Sequence, residues 1–136
     1  KERYGWSFGV LFIDMDRFKE VNDRFGHQVG DEVLRMTART LAHSLRSFDV
    51  VSRWGGEEFL AVIVNVDREK LFGVGEKLRA MVEHSSLEHD GERVAVTVSI
   101  GGTVAASGDD LSTLVRRVDE LMYESKHAGR NRVTVG

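Results

Sequence analysis

The sequence predicts an α/β fold of the α+β type, a ferredoxin-like sandwich in which helices flank a central, mostly antiparallel five-stranded sheet with an added hairpin. Two observations favour this class. Segments with strand and helix periodicity alternate along the 136-residue chain, and a Gly-Gly pair at 55–56 separates two β-branched arms. No linker, proline or internal repeat interrupts the chain, so we expect one domain over residues 1–136.

The first strand is predicted over residues 8–13, a continuous apolar run that indicates burial on both faces. A short helix follows over residues 18–25, where apolar side chains recur at helical spacing until Gly26 ends it. The next helix is predicted from about residue 30 to 47. Both helices are amphipathic, so each is expected to pack one face on the sheet.

The hairpin has its arms at residues 49–52 and 59–64, which are apolar and β-branched. Glu57 then lies in or beside the turn, and Glu58 opens the second arm. A third helix is expected after Asp67, with an apolar stripe that ends at Val82. The economical arrangement places the first strand at the centre of the sheet with the hairpin beside it.

Residues 94–104 alternate in polarity as a strand does, and Gly101-Gly102 predicts a bulge or a paired hairpin within it. The last helix is expected to begin at Asp109 or Asp110, either of which can cap its amino end. Residues 132–135 close the fold as a short strand.

Composition limits the classes of function. The net charge of −3 is mild and no basic stripe is present, so a small nucleotide is favoured over a nucleic-acid polymer. The absence of cysteine excludes thiolate metal sites and cysteine nucleophiles. No run approaches the about 20 apolar residues of a membrane span. We expect a cytoplasmic domain without membrane contact. Because the chain begins with Lys1 and enters a strand almost at once, we also expect a fragment of a longer protein.

Acidic residues follow the first strand and occupy the hairpin turn. Asp14 and Glu57 are expected to converge there, and a hard divalent cation such as Mg²⁺ relieves their repulsion while it keeps positions open for water and phosphate oxygens. Glu58 either helps to hold a second ion or satisfies the turn. Gly55 and Gly56 leave room for a ligand beside the backbone. The alternative is an ordinary hairpin tip with solvated acids, and Asp16 is interpreted as a helix N-cap.

Polar residues on the first two helices suit a nucleotide. Lys19 and Asn22 share a helix face, so an ammonium for a triphosphate and an amide for a base edge project on one side. Asp31 can accept from the N1 and N2 donors of guanine, which adenine lacks. Each is more often a solvated surface residue when taken alone. The default interpretation of His27 is a helix stop or turn partner.

These motifs together resemble the GGDEF family of diguanylate cyclases. The similarity spans almost the whole chain in the right order. The motifs are FIDMDRFK at 12–19, NDRFGH at 22–27, GD at 30–31, RWGGEEF at 53–59, VSIG at 98–101 and YESKHAGRN at 123–131.

The resemblance implies condensation of two GTP molecules into cyclic di-GMP with release of two pyrophosphates. In a homodimer, each 3′-hydroxyl attacks the other nucleotide's α-phosphorus. It implies two Mg²⁺ ions per half-site, with Mn²⁺ able to substitute. The implied metal ligands are Asp14, the Met15 carbonyl, Glu57 and Glu58. Glu57 is the implied proton acceptor and Lys19 the implied transition-state stabiliser. The implied substrate-binding residues are Asn22, His27, Asp31, Gly55, Gly56, Lys126 and Arg130.

A second implied site is an RxxD inhibitory motif, formed by Arg46 and Asp49, which binds the product cyclic di-GMP. An arginine that assists this site in some relatives matches Lys77 here, which keeps the charge but loses the planar fork. A helix-ending arginine and a strand-opening aspartate explain the same pattern without a ligand.

Relatives usually begin with a helix and a D-x-L-T-x-L-x-N-R-type segment, which this sequence does not show. We therefore expect a sensory or dimerising domain before it in the parent protein, which can be membrane-anchored. The isolated chain is expected to be a monomer or weak dimer with low turnover.

Two alternatives to an active cyclase stay open. One is a catalytically weak regulatory domain that binds GTP or cyclic di-GMP, although such domains usually carry a damaged Gly-Gly-acid motif. The other is a related palm-type nucleotidyl or purine cyclase that makes mixed dinucleotides.

Overall fold

The computed structural model describes residues 7–136 and contains seven strands and four helices in that range. In chain order the elements are β1 (Phe8–Met15), α1 (Phe18–Phe25), α2 (His27–His43), β2 (Val50–Arg53), β3 (Glu58–Val64), α3 (Arg68–Glu83), β4 (Leu87–His89), β5 (Glu92–Val94), β6 (Val98–Val104), α4 (Leu111–His127) and β7 (Val133–Val135).

The central sheet has five strands in the order β2-β3-β1-β6-β7. Strand β1 pairs antiparallel with β3 on one side and with β6 on the other, and only β7 joins in parallel. The predicted fold class is confirmed, including the central first strand and the hairpin beside it. Because β1 lies in the middle, its carboxyl end opens onto the tip of the β2–β3 hairpin.

Helices cover both faces of the sheet, as the apolar run over residues 8–13 of β1 predicts. Leu11, Ile13 and Met15 point to one face, where they are buried with α1, α2 and α3. Val10 and Phe12 point to the other, where they pack on α4. Alternate residues of one strand therefore enter two separate apolar clusters.

Helix α2 differs from its predicted bounds at both ends. It begins at His27 instead of residue 30 because Gly26, at φ 93°, ends α1 and precedes α2 directly. It ends at His43 instead of 47, where the Ser44 amide donates to the Thr40 and Leu41 carbonyls and tightens the last turn.

The predicted bulge or hairpin at Gly101-Gly102 is wrong. Both glycines lie in unbroken register with β1, Gly101 opposite Phe12 and Gly102 opposite Leu11. Their small size serves close packing instead: a Cβ on Gly101 would lie 2.2 Å from the Met122 amide nitrogen of α4. Glycine here lets a helix backbone approach the sheet.

The strand predicted over residues 94–104 is in fact two strands. Strand β5 ends at Val94, where it pairs with β4 in a separate two-stranded sheet, and β6 begins at Val98. The turn between β4 and β5 is Asp90-Gly91, both at positive φ. An Asp-Gly pair is a known hairpin signal, so the sequence did contain the cue.

No helix within residues 7–136 is long and apolar enough to cross a membrane.

Candidate active site

Acidic residues from two strands meet at one end of the sheet. Asp14 of β1 lies opposite Glu58 of β3 in the antiparallel register, and the Met15 amide donates to the Glu57 carbonyl at 3.2 Å. The fold thus brings together three of the acids that sequence reasoning selected. Strand pairing explains this convergence, because the end of β1 and the start of β3 are adjacent by register.

Asp14 carries a buried oxygen, Oδ1, whose cationic neighbour is the Lys126 ammonium at 3.5 Å. Its side chain is 13% exposed, and Oδ1 has no hydrogen-bond partner among the described residues. Burial, reinforced by the nearby Glu57, raises the pKa of Asp14 to about 6 against the opposing effect of Lys126. Burial also raises the pKa of Glu58, with further contributions from the Asp14 and Asp119 charges. A cluster of acids whose charged forms are disfavoured in this way is characteristic of a site that binds a cation.

The donor set fits a hard divalent ion that keeps other ligands. Within residues 7–136, no three acidic or histidine side chains form a preassembled cluster around one point. Asp14, Glu57 and Glu58 with the Met15 carbonyl offer oxygen ligands, which Mg²⁺ prefers while it retains water or phosphate oxygens. These residues are the ones that would hold the ion.

Asp16 is not the N-cap that the sequence suggested. Arg17, in the left-handed region at φ 57°, occupies the N-cap position of α1 and makes no side-chain cap bond. The Asp16 side chain is only 3% exposed. Its two oxygens accept four hydrogen bonds, from the Thr97 and Ser99 hydroxyls at 2.7 Å, the Lys126 ammonium at 2.9 Å and the main-chain amide of Asn131 at 3.1 Å.

These donors stabilise the ionised form of the Asp16 carboxyl although it is buried. Burial alone would raise its pKa, but the hydrogen bonds from Thr97, Ser99 and Lys126 hold the pKa below its ordinary value. Asp16 therefore joins β1, β6 and the turn after α4. Thr97 was missed by sequence reasoning, and Ser99 and Asn131 were noted only as parts of motifs.

The last helix brings a cation into the acidic site. Lys126 in the final turn of α4 donates to the Met15 carbonyl at 3.2 Å and lies 3.5 Å from Asp14 Oδ1. Arg130 lies in the turn that follows, between Gly129 and Asn131, and all three have positive φ. The Arg130 amide donates to the Ser125 carbonyl, and the Asn131 side chain bonds to Arg79 and Glu83 of α3.

The residues selected for nucleotide binding lie on α1 and the start of α2. The Asn22 side chain rests on Gly30, where a Cβ would approach its Oδ1 to 1.7 Å. Asp31 is exposed beside it, and His27 is the exposed first residue of α2. The Lys19 side chain is 86% exposed and pairs with Asp23 at 3.0 Å. The fold thus places the predicted base-reading residues Asn22 and Asp31 at one helix junction.

The hairpin tip is held by Arg53, which sequence reasoning quoted without a role. Its guanidinium donates to the Gly55 carbonyl at 3.0 Å and to the Gly56 carbonyl at 2.8 Å. The Trp54 amide donates to the Glu58 carbonyl at 2.7 Å. A Cβ at Gly56 would meet no described atom within 4 Å, so space beside the backbone is open there.

The RxxD residues lie at the opposite end of β3. Arg46 donates to Asp49 through Nε at 2.9 Å, and the Val64 amide donates to the same carboxylate at 3.0 Å. The Asp49 side chain is 1% exposed. Although burial opposes it, the Arg46 hydrogen bond lowers the pKa of Asp49. The pair lies in the turn between α2 and β2, and Lys77 of α3 lines the same pocket.

A palm-type α+β sandwich with acidic strand ends and an adjacent lysine defines the class of domain. Residues 1–132 match the family model described as "Diguanylate cyclase, GGDEF domain". The chain belongs to the GGDEF domain family.

Individual proteins agree with this assignment. Diguanylate cyclase A of Treponema denticola is 40% identical over 132 residues, which cover 95% of this chain and 35% of that protein. The chain therefore spans about a third of the length of this curated relative.

Two solved structures resemble the fold closely. The diguanylate cyclase SiaD of Pseudomonas aeruginosa, solved with its activator SiaC, has a TM-score of 0.93 and 35% identity and covers 99% of this chain and 52% of SiaD. The GGDEF domain of DgcB from Caulobacter crescentus, solved with c-di-GMP, has a TM-score of 0.92 and 32% identity and covers 98% of this chain and 80% of that one.

Proposed function

We propose that this domain is a diguanylate cyclase that condenses two GTP molecules into cyclic di-GMP and releases two pyrophosphates. The observation that carries the proposal is the buried Asp14 carboxylate beside Glu57 and Glu58, whose Oδ1 accepts no hydrogen bond among the described residues and has the Lys126 ammonium 3.5 Å away. Family membership supports the reaction, and the helix junction of Asn22 and Asp31 supports guanine as the base.

The reaction joins two nucleotides by two equivalent displacements. The 3′-hydroxyl oxygen of one GTP bonds to the α-phosphorus of the other, the bond from that phosphorus to the bridging oxygen breaks, and pyrophosphate leaves. Glu57 accepts the hydroxyl proton. Asp14, the Met15 carbonyl, Glu57 and Glu58 are the groups that would hold Mg²⁺, or Mn²⁺ in its place, with two ions proposed per half-site. Bound there, the metal supplies charge stabilisation to the entering and leaving oxygens.

The remaining residues bind and orient the nucleotide. Lys19 stabilises charge that develops on the transferred phosphate, and Lys126 and Arg130 bind the triphosphate from the end of α4. Asn22 and Asp31 read the guanine edge, and His27 contacts the nucleotide at the start of α2. The open backbone at Gly56 lets the nucleotide approach the hairpin tip. The space beside Gly55 is instead occupied by the Glu58 carboxylate, whose Oε1 lies 2.6 Å from where a Cβ would stand.

One domain provides half of a reaction site. Each copy binds one GTP, so a homodimer is required to place the two nucleotides face to face. The parent protein is proposed to carry an N-terminal sensory or dimerising domain, which the greater length of the relatives supports. Cyclic di-GMP is proposed as a product inhibitor at Arg46 and Asp49, and the solved complex of DgcB with c-di-GMP supports binding of this product by the family.

The decisive experiment fuses the domain to a dimerising segment and incubates it with Mg²⁺ and either GTP or ATP. Mass spectrometry should identify cyclic di-GMP from GTP and no cyclic product from ATP. Glu57→Gln should abolish synthesis with the fold intact, and Glu88→Gln in the separate hairpin is the matched control that should leave it unchanged.

The outcomes separate the candidate functions. GTP binding without any product from the wild-type fusion would overturn the cyclase and favour a GTP-binding regulatory domain. A third incubation contains GTP and ATP together, and a mixed dinucleotide as its product would favour the related nucleotidyl cyclase.

A further inference from the structure

The ammonium of Lys126 contacts groups that the proposed function assigns to the metal. It donates to the Met15 carbonyl at 3.2 Å and to Asp16 at 2.9 Å, and it lies 3.5 Å from Asp14 Oδ1. The side chain is only 17% exposed. The Lys126 ammonium is therefore held in a defined position, because a buried ammonium requires hydrogen-bond acceptors on several sides.

The same contacts conflict with a simple phosphate-binding role. A lysine whose ammonium faces the Met15 carbonyl and Asp14 does not at the same time extend into solvent toward a triphosphate. Two cations also repel when they share one carbonyl oxygen and one carboxylate. Lys126 and a metal ion would therefore compete for the Met15 carbonyl and Asp14.

We propose that Lys126 is a resident cation that stands in for the metal in the nucleotide-free domain and yields its position when metal and GTP arrive. Its ammonium then leaves the Met15 carbonyl and Asp14 for the phosphates. This inference rests on the proposed function. It predicts that metal binding without nucleotide is weak, because it must first displace Lys126.

Asp16 allows this exchange without leaving a bare charge. When Lys126 departs, the Asp16 carboxylate keeps the hydroxyls of Thr97 and Ser99 and the amide of Asn131. The Asp14 oxygen, which lacks a hydrogen bond while Lys126 is present, gains a ligand bond instead. Lys126 lies in the last turn of α4 and has a long, flexible side chain, so we expect the exchange to occur by rotation of that side chain and not by movement of the helix.

The test measures Mn²⁺ binding by electron paramagnetic resonance in the absence of nucleotide. Lys126→Met should bind Mn²⁺ at least about 10-fold more tightly than wild type, since no ammonium has to be displaced. Arg17→Met is the control for through-space charge: Arg17 follows Asp16 in sequence but is exposed and pairs with Glu20. Its effect should stay below about 3-fold, because exposed charges are screened. Equal effects of the two variants would overturn the proposal.

A second measurement uses the wild-type chain and does not depend on the variant's folding. Proton–nitrogen correlation spectra of lysine ammonium groups should show Lys126 protected from exchange without metal and averaged with solvent after Mg²⁺ and a non-hydrolysable GTP analogue are added. A Lys126 signal that stays protected at saturating metal and analogue would overturn the proposal.

Neither readout depends on turnover. If the wild-type fusion makes cyclic di-GMP but Lys126→Met binds Mn²⁺ with unchanged affinity, the inference about Lys126 is wrong and the proposed cyclase activity stands. If Lys126→Met binds Mn²⁺ more tightly but the wild-type fusion makes no cyclic di-GMP, the proposed cyclase activity is wrong and the competition between Lys126 and the metal stands.

Discussion

At the scale of single residues, Asp14 lies where folding alone would not place a carboxylate. Its burial raises the cost of the charged form, and one oxygen has no hydrogen bond among the described residues. Residues of this kind are characteristic of binding sites, where a ligand compensates for instability of the empty protein.

Asp14→Asn should therefore stabilise the metal-free domain while it removes a proposed metal ligand. We expect the free energy of unfolding at pH 7 to rise by about 1–2 kcal/mol in chelator, because the neutral amide avoids the cost of a buried charge. Urea unfolding measures this change. Asp23→Asn, at an exposed acid on α1, is the matched control and should shift stability by less than about 0.5 kcal/mol. A less stable Asp14→Asn protein would contradict the expectation.

The gain from Asp14→Asn should depend on pH in a defined direction. The ordinary pKa of the Asp14 carboxyl is 3.8, and in the fold it is about 6. Between these values the folded chain binds more protons than the unfolded chain, so the contribution of Asp14 to stability falls as pH rises. The difference between variant and wild type should be small below the lower value and complete above the higher one. Urea unfolding in chelator across this range measures it, and a difference independent of pH would refute the assigned cause.

Arg46→Ala should both relieve product inhibition and weaken the fold. Arg46 forks onto Asp49 and also donates to the Val64 carbonyl, so its loss leaves the buried Asp49 charge with the Val64 amide. We expect cyclic di-GMP to inhibit at least about 10-fold more weakly and stability to fall by about 1–3 kcal/mol. Synthesis assays with added product and urea unfolding measure the two effects. Reduced stability with unchanged inhibition would make Arg46 a structural residue only.

At the scale of elements, the contact between β6 and α4 determines where the Lys126 ammonium lies in the acidic site. Helix α4 carries Lys126 and packs directly over Gly101, whose missing side chain lets the helix backbone close on the strand. Any displacement of α4 moves Lys126 relative to Asp14 and the Met15 carbonyl. We therefore expect Gly101, a glycine of β6 that is not itself part of the acidic site, to help position Lys126 there.

Gly101→Ala should destabilise the domain by about 3 kcal/mol or more, because the new methyl group meets helix backbone that cannot rotate away. The matched control is Gly73→Ala in α3, where a Cβ would meet no described atom within 4 Å. That change should be neutral or stabilise by up to about 1 kcal/mol through helix propensity. Thermal and urea unfolding compare the two, and similar effects would show that α4 does not depend on the glycine.

At the scale of the whole molecule, the proposed reaction needs two copies of a domain that brings one GTP each. The two ends of β3 separate the proposed functions, with the acidic site at Glu58 and the RxxD pocket at Val64. The two proposed sites therefore do not overlap within one domain.

Specific activity of the isolated chain should rise with its concentration. Well below the dissociation constant of the dimer, doubling the concentration should raise activity per chain about two-fold, because the dimer fraction grows in proportion. In the dimeriser fusion the specific activity should be constant. Initial rates of cyclic di-GMP synthesis over a dilution series measure both, and constant activity of the unfused chain at every dilution would contradict the half-site reaction.

Local sequence patterns predicted the sheet and the acidic site correctly where each pattern had only one structural explanation. The apolar run before Asp14 defined a central strand, and the Gly55-Gly56 pair defined a hairpin, so their convergence followed from strand pairing. Signals with two explanations gave errors. Gly101-Gly102 has the same letters whether it forms a bulge or receives a helix, and an aspartate before a helix resembles an N-cap even when it is buried.

The sequence by itself determined the element order apart from the β4–β5 hairpin, and it determined the family and the set of acids, cations and amides, because these depend on residue type and spacing along the chain. The tertiary structure alone decided that Asp16 is a buried acceptor of four hydrogen bonds and that Lys126 reaches the Met15 carbonyl. The Lys126 contacts join residues that are 110 and 111 positions apart in the sequence. No local pattern encodes such a distance, since it depends on how α4 packs across β1 and β6.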